Sequence, residues 1–161
     1  MLGLDEAGCG PAFGNLVACA VHIPSGITID GLADSKKLSE KKRNVLFENI
    51  VKHAMYGIGQ VTNEEIDTHG LGEARRVVFE RALDDFSEKY KDFDIKNLVI
   101  DGTIFRQWHD IPYECIPKAD DKYSEVSAAS IVAKVTRDRQ IISLCEEDGT
   151  LDEYYGIKRN K

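Results

Sequence analysis

The 161-residue sequence lacks the features that indicate a membrane or an exported protein. No apolar run approaches the ~20 residues that cross a bilayer, and no basic segment followed by an apolar one forms a leader at the start. The four cysteines lie far apart without a Cys-x-x-Cys pair, which argues against a disulfide framework and a zinc site. We therefore expect free thiols, a cytoplasmic location and no membrane partner.

The sequence also has fewer basic than acidic residues. The chain has 21 Lys and Arg against 28 Asp and Glu, a formal net charge of −7. A general nucleic-acid-binding protein normally presents a basic surface, so this balance argues against that class. It does not exclude a nuclease, because divalent metals neutralise a carboxylate site locally and basic residues can gather on one face. The four histidines lack the helical spacing of metal ligands, which favours structural or solvent-facing positions.

What the chain does contain is typical of one globular domain spanning residues 1–161. Hydrophobic residues make up 42% and charged residues 30%. Apolar patterning predicts strands at 1–4, 15–23, 54–61, 98–100 and 113–116, and helices at 39–53, from about 63, at 72–90 and from about 124 to 146. Strands that come first and then alternate with helices indicate an α/β fold, a mixed sheet with helices on both faces.

Two adjacent carboxylates, Asp5 and Glu6, run directly into the glycine turn Gly8-Cys9-Gly10. They follow a predicted strand, at the carboxyl end where open α/β sheets place their ligands. Neighbouring side chains on a strand point to opposite faces, so both acids can serve one site only if the chain turns there. A solvated turn is the alternative for this segment taken alone.

Asp101 repeats the arrangement, because an apolar strand delivers a carboxylate and then Gly102. Asp120 lies just before the last predicted helix. Each acid alone is typical of a turn, but with Asp5 and Glu6 they are four acids at element ends that can converge at one rim of the sheet. Such a cluster usually holds Mg²⁺ or Mn²⁺, hard ions that prefer oxygen ligands. Two such ions about 3.5–4 Å apart can drive phosphodiester hydrolysis.

The last helix carries Ser127, Ser130, Lys134 and Arg137 at the spacing of one helical face. Two hydroxyl groups followed by two cations suit a row of phosphates. A packing helix with solvated Lys and Arg is the alternative. Lys36, in the basic turn at 34–39, adds a further cation, for which a plain helix entry is the alternative.

The order of these motifs resembles that of type 2 ribonucleases H, the ribonuclease HII family. The resemblance runs from Gly3 to about Arg139 and rests on five ordered motifs: Asp5-Glu6-Ala7-Gly8-x-Gly10-Pro11, Asp34-Ser35-Lys36-Lys37-Leu38, Ile100-Asp101-Gly102, Lys118-Ala119-Asp120, and the run from Ser127 to Asp138. It implies a ribonuclease H-like fold, a five-stranded mixed sheet flanked by helices. It also implies metal-dependent cleavage of the RNA strand of RNA–DNA hybrids, including 5′ of a single ribonucleotide in duplex DNA. We expect the protein to be a monomer.

By motif position, the resemblance assigns a role to each candidate residue. The metal ligands and catalytic acids would be Asp5, Glu6, Asp101 and Asp120, with Mg²⁺ or Mn²⁺ as the cofactor. The phosphates would be bound by Lys36, Lys134 and Arg137. The backbone of Gly8, Cys9 and Gly10 would read the 2′-hydroxyl, the group that distinguishes RNA from DNA.

Two departures from the family pattern bear on the substrate. The family usually has arginine between the two motif glycines, where this chain has Cys9, which lacks the planar fork of donors that binds a phosphate. The family also continues through a Gly-Tyr pair, whose tyrosine stacks on the sugar at the RNA–DNA junction, and further helices, whereas this sequence ends at Lys161. We expect the domain to lack that C-terminal segment, either naturally or because the chain is a fragment.

Two other functions stay open at this point. A nuclease of the same superfold that acts on DNA would keep the fold and the metals, although it would have no 2′-hydroxyl for the glycine turn to read. An inactive nucleic-acid-binding homologue would account for Cys9 and the early end. Retention of all four acids argues against this second alternative, because clustered carboxylates repel one another.

Overall fold

The computed structural model describes residues 1–9, 14–32 and 37–147. Five strands form one mixed sheet in the order β3-β2-β1-β4-β5. The elements are β1 (Leu2–Ala7), β2 (Leu16–His22), α1 (Glu40–His53), β3 (Met55–Val61), α2 (Asn63–His69), α3 (Leu71–Lys89), β4 (Leu98–Asp101), β5 (Tyr113–Ile116), a 3₁₀ turn (Ala119–Asp121) and α4 (Ser124–Glu147). The predicted α/β fold is thereby confirmed.

The central strand β1 determines where the candidate residues meet. It pairs with β2 antiparallel and with β4 parallel, so that Leu4 lies opposite Ile100. Because parallel strands end at the same edge of a sheet, Asp5 and Asp101 follow this pair side by side. β5 continues the sheet parallel to β4, and β3 closes the other side antiparallel to β2.

Helices cover both faces, and glycines allow the closest of these contacts. α3 packs on β3, where a Cβ on Gly59 would collide with backbone atoms of α3. α4 packs on β1 and β2 on the opposite face, and a Cβ on Gly3 would collide with the backbone of Val126. α4 therefore lies directly on β1, and the 3₁₀ turn that precedes it reaches the carboxyl edge of the sheet.

The predicted elements agree with the structure to within a few residues, and two differences concern the site. β1 continues through Asp5 and Glu6 to Ala7, so the two acids lie inside the strand and not beyond it. Residues 119–121 form a 3₁₀ turn that the sequence pattern did not predict. The predicted N-cap of α1 is present, because the Ser39 hydroxyl accepts from Lys42 N–H. Within the described ranges, no helix is both long and apolar enough to cross a membrane.

Candidate active site

Three of the four predicted acids meet at the carboxyl edge of the sheet. Asp5 on β1, Asp101 at the end of β4 and Asp120 in the 3₁₀ turn each offer a carboxylate oxygen, and these oxygens all lie within 4.8 Å of one another. Asp120 is 3% exposed. The parallel pairing of β1 with β4 places the first two together, and the close approach of α4 to β1 brings the third.

Burial and neighbouring carboxylates both act on the Asp5 carboxyl group. Burial raises the pKa of its carboxyl group well above the ordinary value, and the nearby carboxylates of Asp101 and Glu6 raise it further. Hydrogen bonds from Glu6 N–H to Asp5 Oδ1, at 2.8 Å, and from the Ser130 side chain act in the opposite direction. The site therefore disfavours its own negative charge and is suited to a cation.

The backbone around the 3₁₀ turn orients Asp101. Lys118 N–H donates to Asp101 Oδ1 at 3.2 Å and Asp120 N–H donates to Oδ2 at 3.4 Å. Lys118 itself adopts a left-handed conformation with φ of 59°, which reverses the chain after β5. One carboxylate thus ties β4 to the segment that carries the next acid.

Glu6 points to the other face of β1, as alternation along a strand requires. Its Oε1 accepts from Arg75 Nε at 3.1 Å and Nη2 at 2.7 Å, and from Cys9 Sγ at 3.5 Å. Its Oε2 is buried and has no hydrogen-bond partner among the described residues. Glu6 is accordingly not part of the three-aspartate group, although its negative charge helps to raise the pKa of Asp5. Arg75 was not predicted from the sequence, because local sequence patterns do not indicate a contact with a residue 69 positions earlier in the chain.

The predicted glycine turn rests on Arg137. Gly8 has φ of +106°, and a Cβ there would lie 2.6 Å from Arg137 Nε. Gly14, with φ of +91°, lies over the same guanidinium. Arg137 is 1% exposed and its Nε donates to Asn15 O at 3.2 Å, and its burial lowers its pKa. Gly10 and Lys36 lie outside the described residues.

The predicted stripe on α4 separates into members with different surroundings. Ser127 is buried and donates to Leu32 O at 2.6 Å, so the expectation that this hydroxyl faces phosphates is wrong. Ser130 bonds to Asp5, as described above. Lys134 is partly exposed and forms an ion pair with Asp138, Nζ to Oδ1 at 3.0 Å. Packing of α4 against the sheet accounts for the difference, because the stripe spans both the buried side and the rim.

Cys9 is half-buried beside Glu6. Burial raises the pKa of its thiol to about 12, and the Glu6 carboxylate adds to this effect. The thiol therefore stays protonated at neutral pH and is a poor nucleophile and a poor metal ligand.

Comparisons with known proteins agree with this geometry. The family model described as Ribonuclease HII matches residues 2–160. Ribonuclease HII of Blochmanniella pennsylvanica is 41% identical over 160 residues, which cover 99% of this chain and 70% of that protein. The ribonuclease H2 structure from Pyrococcus horikoshii is 32% identical with a TM-score of 0.77, covering 92% of this chain and 76% of that one.

A further structure, the PCNA:RNase HII complex from Archaeoglobus fulgidus, is similar with 29% identity and a TM-score of 0.72, over 92% of this chain and 76% of that one. Sequence and structure thus lead to the same group of enzymes. The chain belongs to the ribonuclease HII family, and it is a ribonuclease H, a phosphodiester hydrolase.

Proposed function

We propose that this enzyme cleaves the RNA strand of RNA–DNA hybrids, including 5′ of a single ribonucleotide within duplex DNA, with Mg²⁺ or Mn²⁺ bound at the three-aspartate group. The observation that carries the proposal is the approach of the Asp5, Asp101 and Asp120 carboxylates to within 4.8 Å of one another. Membership of the ribonuclease HII family supports the substrate class.

The donor set fits a hard divalent cation, because every candidate ligand atom is a carboxylate oxygen. Asp5, Asp101 and Asp120 would hold the metal directly. Glu6, which points to the other face of β1, is assigned to the metal on its motif alone; its Oε2 is buried and has no hydrogen-bond partner among the described residues. When bound, divalent ions lower the pKa of water and stabilise the leaving oxygen of a phosphodiester.

The chain's own residues would position the nucleic acid around that site. The Gly8 turn follows directly after the two acids of β1, and its positive φ is what glycine permits. We assign it, with Cys9 and Gly10, to the ribose 2′-hydroxyl. We assign a phosphate to Lys134, whose side chain is partly exposed although it pairs with Asp138.

Lys36 is assigned to a second phosphate on its motif alone. For Arg137, burial favours support of the Gly8 turn, and direct phosphate contact stays a prediction. The monomeric state and the cytoplasmic location are predictions as well.

Cleavage of three duplexes tests the proposal: an RNA–DNA hybrid, a DNA duplex with one ribonucleotide and an all-DNA duplex, each with Mn²⁺, with Mg²⁺ and with chelator. We expect metal-dependent cutting of the first two only. Asp101→Asn should keep its circular dichroism spectrum and lose cutting, because an amide is a poor ligand for a hard cation. Asp94→Asn, an exposed acid paired with Lys96, is the matched control and should cut normally.

Comparable cutting of the all-DNA duplex would favour a DNA nuclease of the same superfold. Folded protein that binds the hybrid and cuts nothing would favour the inactive homologue. Normal cleavage by Asp101→Asn would refute the metal assignment.

A further inference from the structure

Arg75 lies at the candidate site although no motif includes it. It stands in the second turn of α3, and its Nε and Nη2 donate to Glu6 Oε1 at 3.1 and 2.7 Å. The Glu6 side chain is 7% exposed and the Arg75 side chain 25%. A buried carboxylate thus fixes an arginine that remains accessible to solvent.

Cys9 shares the acceptor that Arg75 uses. Its Sγ donates to Glu6 Oε1 at 3.5 Å, so two side chains from different elements converge on one carboxylate oxygen. A long cationic side chain at position 9 would compete with Arg75 for this oxygen. The small, uncharged thiol leaves the carboxylate to the guanidinium, which reaches it from α3.

The guanidinium also lies near the chain that leaves β4. A Cβ on Gly102, which follows Asp101, would lie 3.7 Å from Arg75 Nη2. Of the five N–H donors of an arginine, those on Nη1 make no hydrogen bond to any residue in the described part of the chain. A cation with donors to spare therefore lies beside Glu6 and Cys9, near the carboxyl ends of β1 and β4.

We propose that Arg75 is a substrate-binding residue, which contacts a backbone phosphate of the hybrid while Glu6 holds its guanidinium in place. It supplies from α3 the positive charge that Cys9 does not supply within the turn. This assignment rests on the proposed function, because it concerns the same site and the same substrate.

The first test is binding of an RNA–DNA hybrid in chelator, measured by fluorescence anisotropy over a series of salt concentrations. Arg75→Ala should bind about tenfold more weakly, since a charge-assisted hydrogen bond is lost, and its salt slope should fall by roughly one counterion. In cleavage, KM should rise while kcat changes little. Arg75→Lys should keep the salt slope, because it keeps the charge.

Arg76→Ala is the matched control. Arg76 is the next residue on α3, its side chain is 43% exposed, and its nearest acid is Glu73 at 3.7 Å. It should leave affinity, salt slope and KM unchanged. If Arg75 merely neutralises buried Glu6, Arg75→Ala will melt at a lower temperature with the salt slope of Arg76→Ala, and the proposal is overturned.

A rescue experiment tests the role of Arg75 even if Arg75→Ala folds poorly. Cys9→Arg combined with Arg75→Ala should recover both the affinity and the salt slope. In the wild-type background, Cys9→Arg should gain less than about twofold, because two guanidiniums would then face one carboxylate. An equal gain in both backgrounds would show that Arg75 does not supply this charge. A wild-type chain that neither binds nor cuts the hybrid would instead refute the proposed function itself.

Discussion

Gly8 lies against Arg137 so closely that a Cβ on residue 8 would come within 2.6 Å of Arg137 Nε. The same Cβ would lie 2.8 Å from Asn15 O, and the φ of +106° is one that side chains rarely adopt. Gly8→Ala should therefore lower the free energy of unfolding by about 1–3 kcal/mol and raise KM, because the turn must move. Urea denaturation and steady-state cleavage would measure the two effects.

Gly26→Ala is the control for this substitution. Gly26 also has a positive φ, of +85°, but a Cβ added there would have no atom within 4 Å. Gly26→Ala should lower the free energy of unfolding by about 1 kcal/mol, the strain of the left-handed conformation alone, and should leave KM unchanged. Equal effects of the two substitutions would show that the contact with Arg137 does not matter.

The raised pKa of Asp5 predicts the pH dependence of the metal-free protein. The folded state binds a proton at Asp5 more tightly than the unfolded state, chiefly because the group is buried. Its contribution to stability is therefore present at low pH and is lost as the pH rises through the folded pKa. Asp5→Asn should remove this part of the loss of stability with rising pH. The variant should therefore have a higher melting temperature than the wild type in chelator at neutral pH.

Added Mn²⁺ provides the complementary measurement. It should raise the melting temperature of the wild type, because a ligand that binds only the folded state stabilises it. Asp5→Asn should respond less, with one ligand oxygen lost. An Asp5→Asn variant that shows the wild-type pH profile and the wild-type response to Mn²⁺ would contradict the assignment.

Lys134 should bind phosphate. Lys134→Ala should weaken binding of hybrids of different sequence to the same extent and reduce the salt slope by roughly one counterion. Lys96→Ala, an exposed lysine before β4 and so at the opposite edge of the sheet, should change neither. An unchanged slope in Lys134→Ala would mean that this lysine serves only Asp138, which is 5% exposed.

The contact between β3 and α3 tests the packing that places Arg75. Gly59→Ala would drive a Cβ into backbone atoms of Val78 and Ala82, which cannot move aside as a side chain can. We expect a loss of about 3 kcal/mol in the free energy of unfolding. Gly72→Ala, at a helical position with no atom within 4 Å, should instead gain about 0.5–1 kcal/mol. Chemical denaturation of both variants provides the comparison.

Local patterns in the sequence were sufficient for most of the fold. Apolar runs located each of the five strands that the structure describes, and the stripe from Ala74 to Phe86 identified the buried side of α3. These features depend on residues close together in the chain, which is why one sequence reveals them. The glycine turn was expected to bring Asp5 and Glu6 to one site, but β1 continues through both acids, so strand alternation sends them to opposite faces.

The parts of the site that the sequence did not reveal depend on how distant elements pack. Lys134 shares one helical face with Ser127 and Arg137, yet these two residues are buried and Lys134 is not. Ser127 donates to Leu32 O, a contact between residues far apart in the chain. The contact of Arg75 with Glu6 exists only because α3 crosses the end of β1. A helical projection shows which residues share a face, but it cannot show how far a neighbouring element extends over that face.

The pairing of Leu4 with Ile100 has a consequence for how this enzyme could fail. Leu2, Leu4, Leu98 and Ile100 all belong to the core on the α3 side, whereas Asp5 and Asp101 point to the α4 side. A slip of β4 by one residue would move Val99 from its packing against Val126 into the α3-side core in place of Ile100, and would turn Asp101 toward Arg75. The packing of these four aliphatic side chains therefore fixes the register that brings Asp101 beside Asp5. A substitution among them could abolish cleavage with every acid still in place.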